Sequence, residues 1–200
     1  MDVFLLARLM KDYVETLTPN VSDTWRADEI YIKVKGDMKY LFAMMDDETR
    51  FWIAQEVAET KTKHDARTLF FRAKRLMGKQ PKTLITDGLP SYSIANEQVF
   101  CQSDNPEENT KHIRQIMLKG QIHNNKMERM NGEIRDREKT MKGLKRKRTP
   151  ILQGYQIYHN YIRPHEALNG KTPSEACGIT IEGQNKWKTL IQNASQKKIK

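Results

Sequence analysis

Three carboxylates stand where an acid could do chemistry rather than only keep a surface hydrated. Asp28 shares strand parity with Ile30, Ile32 and Val34, which puts its charge at the edge of an otherwise apolar face, where an unpaired negative group is costly. If Asp28 lies just before the strand and is solvated, Glu29 is an equal candidate. Asp87 closes the short apolar run Thr83-Leu84-Ile85-Thr86 and precedes Gly88. That is the carboxyl end of a strand, where ligands gather in α/β sheets, although an ordinary Asp-Gly turn reads the same way. Glu128 lies in HNNKMERMNGEIRDREK. At about 100° per residue, Asn124, Asn131, Arg135, Lys139 and Lys142 fall within about 60° of its direction, while Met127, Met130, Ile134, Met141 and Leu144 point elsewhere. One face is core and the other presents a carboxylate among amides and cations, unless it is simply a solvated face. Oxygen ligands from separate elements suit Mg²⁺ or Mn²⁺, which keep waters and bind substrate phosphates through a few carboxylates. Two such ions, about 3.5 to 4 Å apart, would serve the attacking and leaving oxygens of an in-line displacement.

The charge balance agrees with a phosphate-bearing partner. Lys and Arg number 35 against 25 Asp and Glu, a formal net charge of +10, which favours a polyanion, nucleic acid first. The run Lys145-Arg146-Lys147-Arg148 is either a solvated turn or a phosphate contact, and the DNA reading is preferred. Only Cys101 and Cys177 are present, so neither a disulfide framework nor a structural zinc site is expected, and a reducing, cytoplasmic compartment fits. The apolar stretch Val3 to Met10 is interrupted by Arg8, is too short to span a bilayer, and follows Asp2 where an export signal would be basic. A soluble chain without a membrane partner is expected.

The elements that must position these acids follow from periodicity. Leu6, Met10, Tyr13 and Leu17 recur at helical spacing before a polar linker, Thr18 to Thr24. From Trp25 the pattern becomes three antiparallel strands: alternation through Val34, a turn at Gly36-Asp37, an apolar run from Tyr40 to Met45, a turn at Asp46-Asp47-Glu48, then Phe51 to Val57. Lys63 to Met77 reads as a helix stopped by Gly78, and Thr83 to Thr86 as a buried strand. Cys101 to Thr110 reads as a turn-rich loop, followed by helices over Lys126 to Leu144 and Pro150 to Tyr161 and a fraying Lys- and Gln-rich tail after Trp187. The expected class is α/β, a mixed sheet flanked by helices, in an order that suits an RNase H-like fold.

Four ordered stretches, WRADEIYIKVKG, LITDGLPSY, HNNKMERMNGEIRDR and YHNYIRPHEALNGKTPSEA, resemble insertion-sequence transposases of the retroviral-integrase superfamily, over roughly Trp25 to Gly178. The resemblance implies that Asp28, Asp87 and Glu128 are the catalytic, metal-binding acids and that Arg135 serves near the reacting DNA. It implies Mg²⁺- or Mn²⁺-dependent strand cleavage and transfer, with two ions, with water or a DNA 3′-hydroxyl as nucleophile and without a covalent enzyme intermediate. Asn124, Asn131, Arg135, Lys139, Lys142, Lys145, Arg146, Lys147 and Arg148 are the expected contacts to double-stranded DNA, both element ends and target. A homo-oligomer is expected, nucleoid-associated in the cytoplasm. The organisation read from sequence is an N-terminal helix and linker over 1–24, a catalytic core over 25–178 and a tail over 179–200. Relatives carry a helix-turn-helix before the core and only one helix precedes Trp25, so a catalytically silent, truncated transposase that binds DNA non-specifically is the alternative. Glu133 is the second candidate for the glutamate, because the interval after Asp87 is longer than the family usually shows. Near the C-terminus, Thr172-Pro173-Ser174 is expected to cap a short helix, and His165 to be structural.

Overall fold

Alternation of Ile30, Ile32 and Val34 with polar neighbours produces a strand that extends upstream to include both Asp28 and Glu29. The computed structural model describes residues 3–115, 125–141, 144 and 150–197. In chain order its elements are α1 (Val3–Val14), β1 (Thr24–Val34), β2 (Asp37–Asp46), β3 (Trp52–Ala58), α2 (Lys63–Met77), β4 (Thr83–Thr86), α3 (Pro90–Phe100), β5 (Lys111–Arg114), α4 (Asn125–Met141), α5 (Pro150–Ile157), α6 (Pro173–Ala176) and α7 (Lys186–Lys197). The chain forms two compact units, residues 22–147 and residues 1–21 together with 148–200.

The larger unit is built on a five-stranded sheet in the order β3-β2-β1-β4-β5. β1, β2 and β3 are antiparallel, whereas β4 and β5 run parallel to β1 and to one another, respectively, so the sheet is mixed as expected. The β1–β2 turn is Lys35-Gly36, one residue earlier than Gly36-Asp37, with φ of 56° and 91°. Positive φ at both central residues gives a two-residue hairpin the twist of its strands, and Gly36 adopts it without steric cost. Parallel pairing needs crossovers, which α2 and α3 supply on one face. There Trp25 meets Phe100 edge-on at 6.2 Å, and Phe70 stacks on Tyr92 and Phe100 at 5.9 and 5.2 Å. On the other face α4 packs against β1 with Met127, Met130 and Ile134 buried, which is the core side predicted for that helix. Each such side chain contributes about 1.5–3 kcal/mol by leaving water. Leu144 closes this edge, its N–H donating to the Lys33 carbonyl at 2.7 Å and its own carbonyl accepting from Lys35 N–H at 2.7 Å.

Two elements of this unit were not anticipated. α3 has no clean apolar stripe, because its buried positions include Ser91 and Asn96 beside Tyr92, Ala95, Val99 and Phe100. β5 is four residues long and none of its side chains is fully buried. Between them the 101–110 loop is held by its own polar groups, with Asn109 donating to the Ser103 carbonyl at 3.0 Å and Ser103 to Glu108 at 2.8 Å.

In the smaller unit α1 packs on α5 and α7, and Asn193 donates to the Tyr13 hydroxyl at 3.2 Å. Residues 186–197 are therefore a docked helix with Leu190 and Ala194 buried, not the fraying tail read from composition. α6 is capped as expected: the Thr172 hydroxyl accepts from Glu175 N–H at 3.2 Å, and the Glu175 carboxylate accepts from Thr172 N–H at 2.8 Å. His165 lies edge-on to His159 at 4.7 Å. Among the described residues no helix is long and apolar enough to cross a membrane.

Candidate metal and DNA site

β4 ends at Thr86, and its pairing with β1 covers only Thr24 to Arg26. Beyond Arg26 β1 parts from β4, and among the described residues its next partner on that edge is Leu144 beside Val34, so residues 28 and 29, one on each face, reach the end of β4. Asp28 projects toward α4 and Glu29 toward α2 and α3, yet carboxylate oxygens of Asp28, Glu29 and Asp87 all lie within 4.8 Å of one another. Asp28 lies inside the strand, opposite Ala43, which removes the reading in which it precedes the strand.

Each member of the trio is held by specific partners. Asp28 accepts from its neighbour's backbone, Glu29 N–H, at 2.9 Å, and from the Asn131 side-chain amide at 2.7 Å. Glu29 accepts from Lys61 at 2.8 Å and from the Tyr92 hydroxyl at 2.8 Å. Asp87 accepts from Leu89 N–H at 3.0 Å, which tightens the turn into α3.

The electrostatics separate this cluster from an ordinary structural acid. Burial first, and then the neighbouring charges of Glu29, Asp87 and Glu128, push the Asp28 carboxyl up to about 7 against the lowering effect of the Glu29 N–H. Burial also raises Glu29, with the Asp87 charge in the same direction and Lys61 and Tyr92 opposing. Tyr92 is pushed well above its ordinary value by burial and by the Glu29 charge. Asp46 is the contrast: fully buried, it accepts from Ser22 N–H and hydroxyl at 2.8 and 2.6 Å and from Thr49 N–H and hydroxyl at 2.8 and 2.5 Å. Asp46 sits among donors, whereas Asp28 sits among other acids. A site that concentrates negative charge in a partly desolvated corner suits a cation.

Glu128 occupies the first turn of α4, where the helix N-terminus favours a carboxylate, and it is exposed. It is not one of the three acids whose oxygens converge, but its charge is among those acting on Asp28. Arg135 and Lys139 are exposed on the same helix, Lys139 lying 3.4 Å from Asp136. Asn131 differs from the expectation of an open DNA contact: it is only 4% exposed and its amide is on Asp28. At the margin of the polar sector, about 60° from Glu128, it turns inward with the core side. Asn124, Lys142, Lys145, Arg146, Lys147 and Arg148 lie outside the described residues. Lys61 and Tyr92, which hold Glu29, were given no role from sequence: Tyr92 closes the LITDGLPSY stretch, and nothing in the local pattern of Lys61 marks it.

The sequence profile of a family described as the DDE domain, of the IS240 transposase type, matches residues 22–165. The chain belongs to this DDE transposase family. The transposase of the insertion sequence-like element IS431mec from Staphylococcus aureus is 34% identical over 79 residues. That match spans 38% of this DDE chain and 33% of the length of the relative. Among solved structures, the HTLV-2 integrase catalytic core domain in complex with magnesium, in its dimeric form, aligns with a TM-score of 0.55 at 21% identity, over 78% of this chain and 95% of that one. The trimeric form of the same core aligns with a TM-score of 0.58 at 20% identity, over 80% and 98%. The DDE chain thus shares the integrase-core, RNase H-like fold expected from the order of its elements.

Proposed function

We propose that this chain catalyses metal-dependent DNA strand cleavage and strand transfer in the transposition of an insertion sequence. The observation that carries the reading is the convergence of Asp28 and Asp87 at the open end of the sheet, with the Glu128 charge acting on Asp28 from α4. The donor set fits a divalent cation, because every candidate ligand is a carboxylate oxygen and the charge gathered on Asp28 is what such an ion would relieve. Asp28, Asp87 and Glu128 would hold Mg²⁺ or Mn²⁺, two ions in this reading, which when bound activate the attacking hydroxyl and stabilise the leaving oxygen of an in-line displacement.

The remaining roles belong to the protein. The Asn131 amide holds one oxygen of Asp28 while the Glu29 N–H holds the other, which fixes the orientation of the carboxylate toward the substrate, a positioning role. Arg135 and Lys139 meet the DNA backbone from the exposed side of α4, with Asn124, Lys142 and Lys145 to Arg148 as further contacts to both element ends and target. Asn131 serves through Asp28 instead of touching DNA. In this reading the catalytic region is residues 25–178 with segments 1–24 and 179–200 attached, the working form is a homo-oligomer that holds two DNA ends, and the protein resides on the nucleoid.

The test is strand nicking and joining on candidate element-end DNA, comparing the wild type with Asp28→Asn, Asp87→Asn and Glu128→Gln. Activity in Mg²⁺ or Mn²⁺ that each substitution reduces at least a hundredfold in a folded protein is the expected result. DNA binding with no cleavage by the wild type contradicts it.

A further inference from the structure

On the face of the sheet that carries Glu29, α2 and α3 cover the region around Trp25 and Phe42, and beyond them the described residues leave Tyr31 and Met38 of the β1–β2 hairpin exposed. Tyr31 lies on this face directly opposite Tyr40, and Lys33 opposite Met38. Tyr31 is 47% exposed and Met38 51%, among the largest exposures of any apolar side chain of the described residues. The two tyrosine rings lie 4.6 Å apart, tilted by 44°, and their hydroxyls are hydrogen-bonded at 3.1 Å. Lys61 sits over both, its ammonium 5.2 Å from the Tyr31 ring centre and 4.9 Å from that of Tyr40. The same ammonium bonds Glu29, whose carboxylate belongs to the acidic trio.

A fixed aromatic pair, beside cations and joined by one ion pair to a candidate phosphodiester site, has the composition of a stacking platform for nucleic acid. We propose that Tyr31, Tyr40 and Lys61 form a subsite for an unpaired nucleotide of the DNA strand next to the acidic site, its base stacking on Tyr31 and its phosphate drawn by Lys61 and Lys33. This rests on the reading that the acids act on DNA. The occupant is an unpaired nucleotide because a base within a duplex has no free face to stack. A second copy of the chain is the poorer occupant, because Lys33 and Lys61 on a chain of net charge +10 suit a polyanion better than another copy of the same basic chain. The ion pair with Glu29 holds Lys61 in place over the rings, so the platform is preformed and ordering it costs little on binding.

The experiment compares binding of the intact chain, in EDTA, to a fluorescent blunt duplex and to the same duplex with a short unpaired extension. The extended duplex is expected to bind on the order of tenfold more tightly, the scale of one stacked base. Tyr31→Leu with Tyr40→Leu removes the difference and leaves blunt binding unchanged, whereas Tyr31→Phe with Tyr40→Phe keeps it, because the rings remain. The proposal is overturned if the wild type shows no preference, if the leucine pair retains it, or if the phenylalanine pair loses it as fully as the leucine pair. Sedimentation in which the leucine pair converts a dimer to a monomer also overturns it, in favour of a second copy. Asp28→Asn separates this from the catalytic reading: it is expected to abolish cleavage and to keep the preference for the extended duplex. A wild type that prefers the extension but never cleaves sinks the catalytic reading alone.

Discussion

At Asp28 two opposing demands meet. Burial and three neighbouring carboxylates favour the neutral form, while hydrogen bonds from Glu29 N–H and Asn131 favour the charged one, and the first group prevails, with the carboxyl raised to about 7. A carboxyl raised in the folded state contributes stability below its unfolded value of 3.8, and that contribution is lost as pH rises through about 7. In EDTA the wild type should therefore lose several degrees of melting temperature, on the order of 5 °C, between pH 5 and pH 8. Asp28→Asn should flatten that dependence, and equal slopes in a thermal-melt series would refute the assignment. Saturating Mn²⁺ should restore the wild type at pH 8 and not the variant. Asn131 acts one step further out. Asn131→Ala leaves the acid without its orienting amide and is expected to lower metal-dependent cleavage by about 10- to 100-fold while the fold persists. Rescue by Asn131→Gln is not expected, because the longer side chain no longer fits a position that is 4% exposed. By position alone Asp28 and Glu29 were equal candidates and Asp87 read as readily as an Asp-Gly turn; the resemblance of the ordered motifs is what singled out Asp28 and Asp87. The inward turn of Asn131 was not legible, since a helix at 100° per residue leaves a marginal position free to join either face.

α4 divides between a core side and a solvent side that is the proposed DNA face. Met127, Met130 and Ile134 anchor it on β1, and the opposite side leaves Arg135 and Lys139 in solvent. Exposed cations that touch phosphate weaken binding to all sequences alike when removed, so Arg135→Ala and Lys139→Ala should each lower affinity for generic DNA and reduce the salt slope by roughly one. A fluorescence-anisotropy salt titration reads both numbers; unchanged slopes would remove this face of α4 from the interface. The amphipathic split was visible in the sequence because a long helix averages over many residues. α3 was not, because Ser91 and Asn96 occupy buried positions and blur the stripe, and β5 was too short and too exposed to show an alternation. Lys61 and Tyr92 reach Glu29 from sites 32 and 63 residues away, contacts that only the crossovers of a mixed sheet create.

For the whole molecule, net charge sets the sign and strength of its field and sheet topology sets where the acids meet. A chain at +10 that neutralises six or more phosphates should lose roughly a thousandfold in DNA affinity between 50 and 200 mM salt, and a flat response would rule out backbone recognition. The class of fold was readable from the order of its elements, since three antiparallel strands, a helix and a further strand leave few unknotted arrangements. The position of the last helix was not: composition marks Lys186–Lys197 as polar, whereas Leu190 and Ala194 dock it in the smaller unit. Asp28 and Asp87 meet in the corner where β4 stops beside β1, and Mn²⁺ binding at pH 8 followed by electron paramagnetic resonance asks whether that corner holds metal. The expected result is saturable binding of two ions in the presence of DNA, with at least one lost in each of Asp28→Asn, Asp87→Asn and Glu128→Gln. Binding that none of the three substitutions alters, or no binding at all, would contradict it.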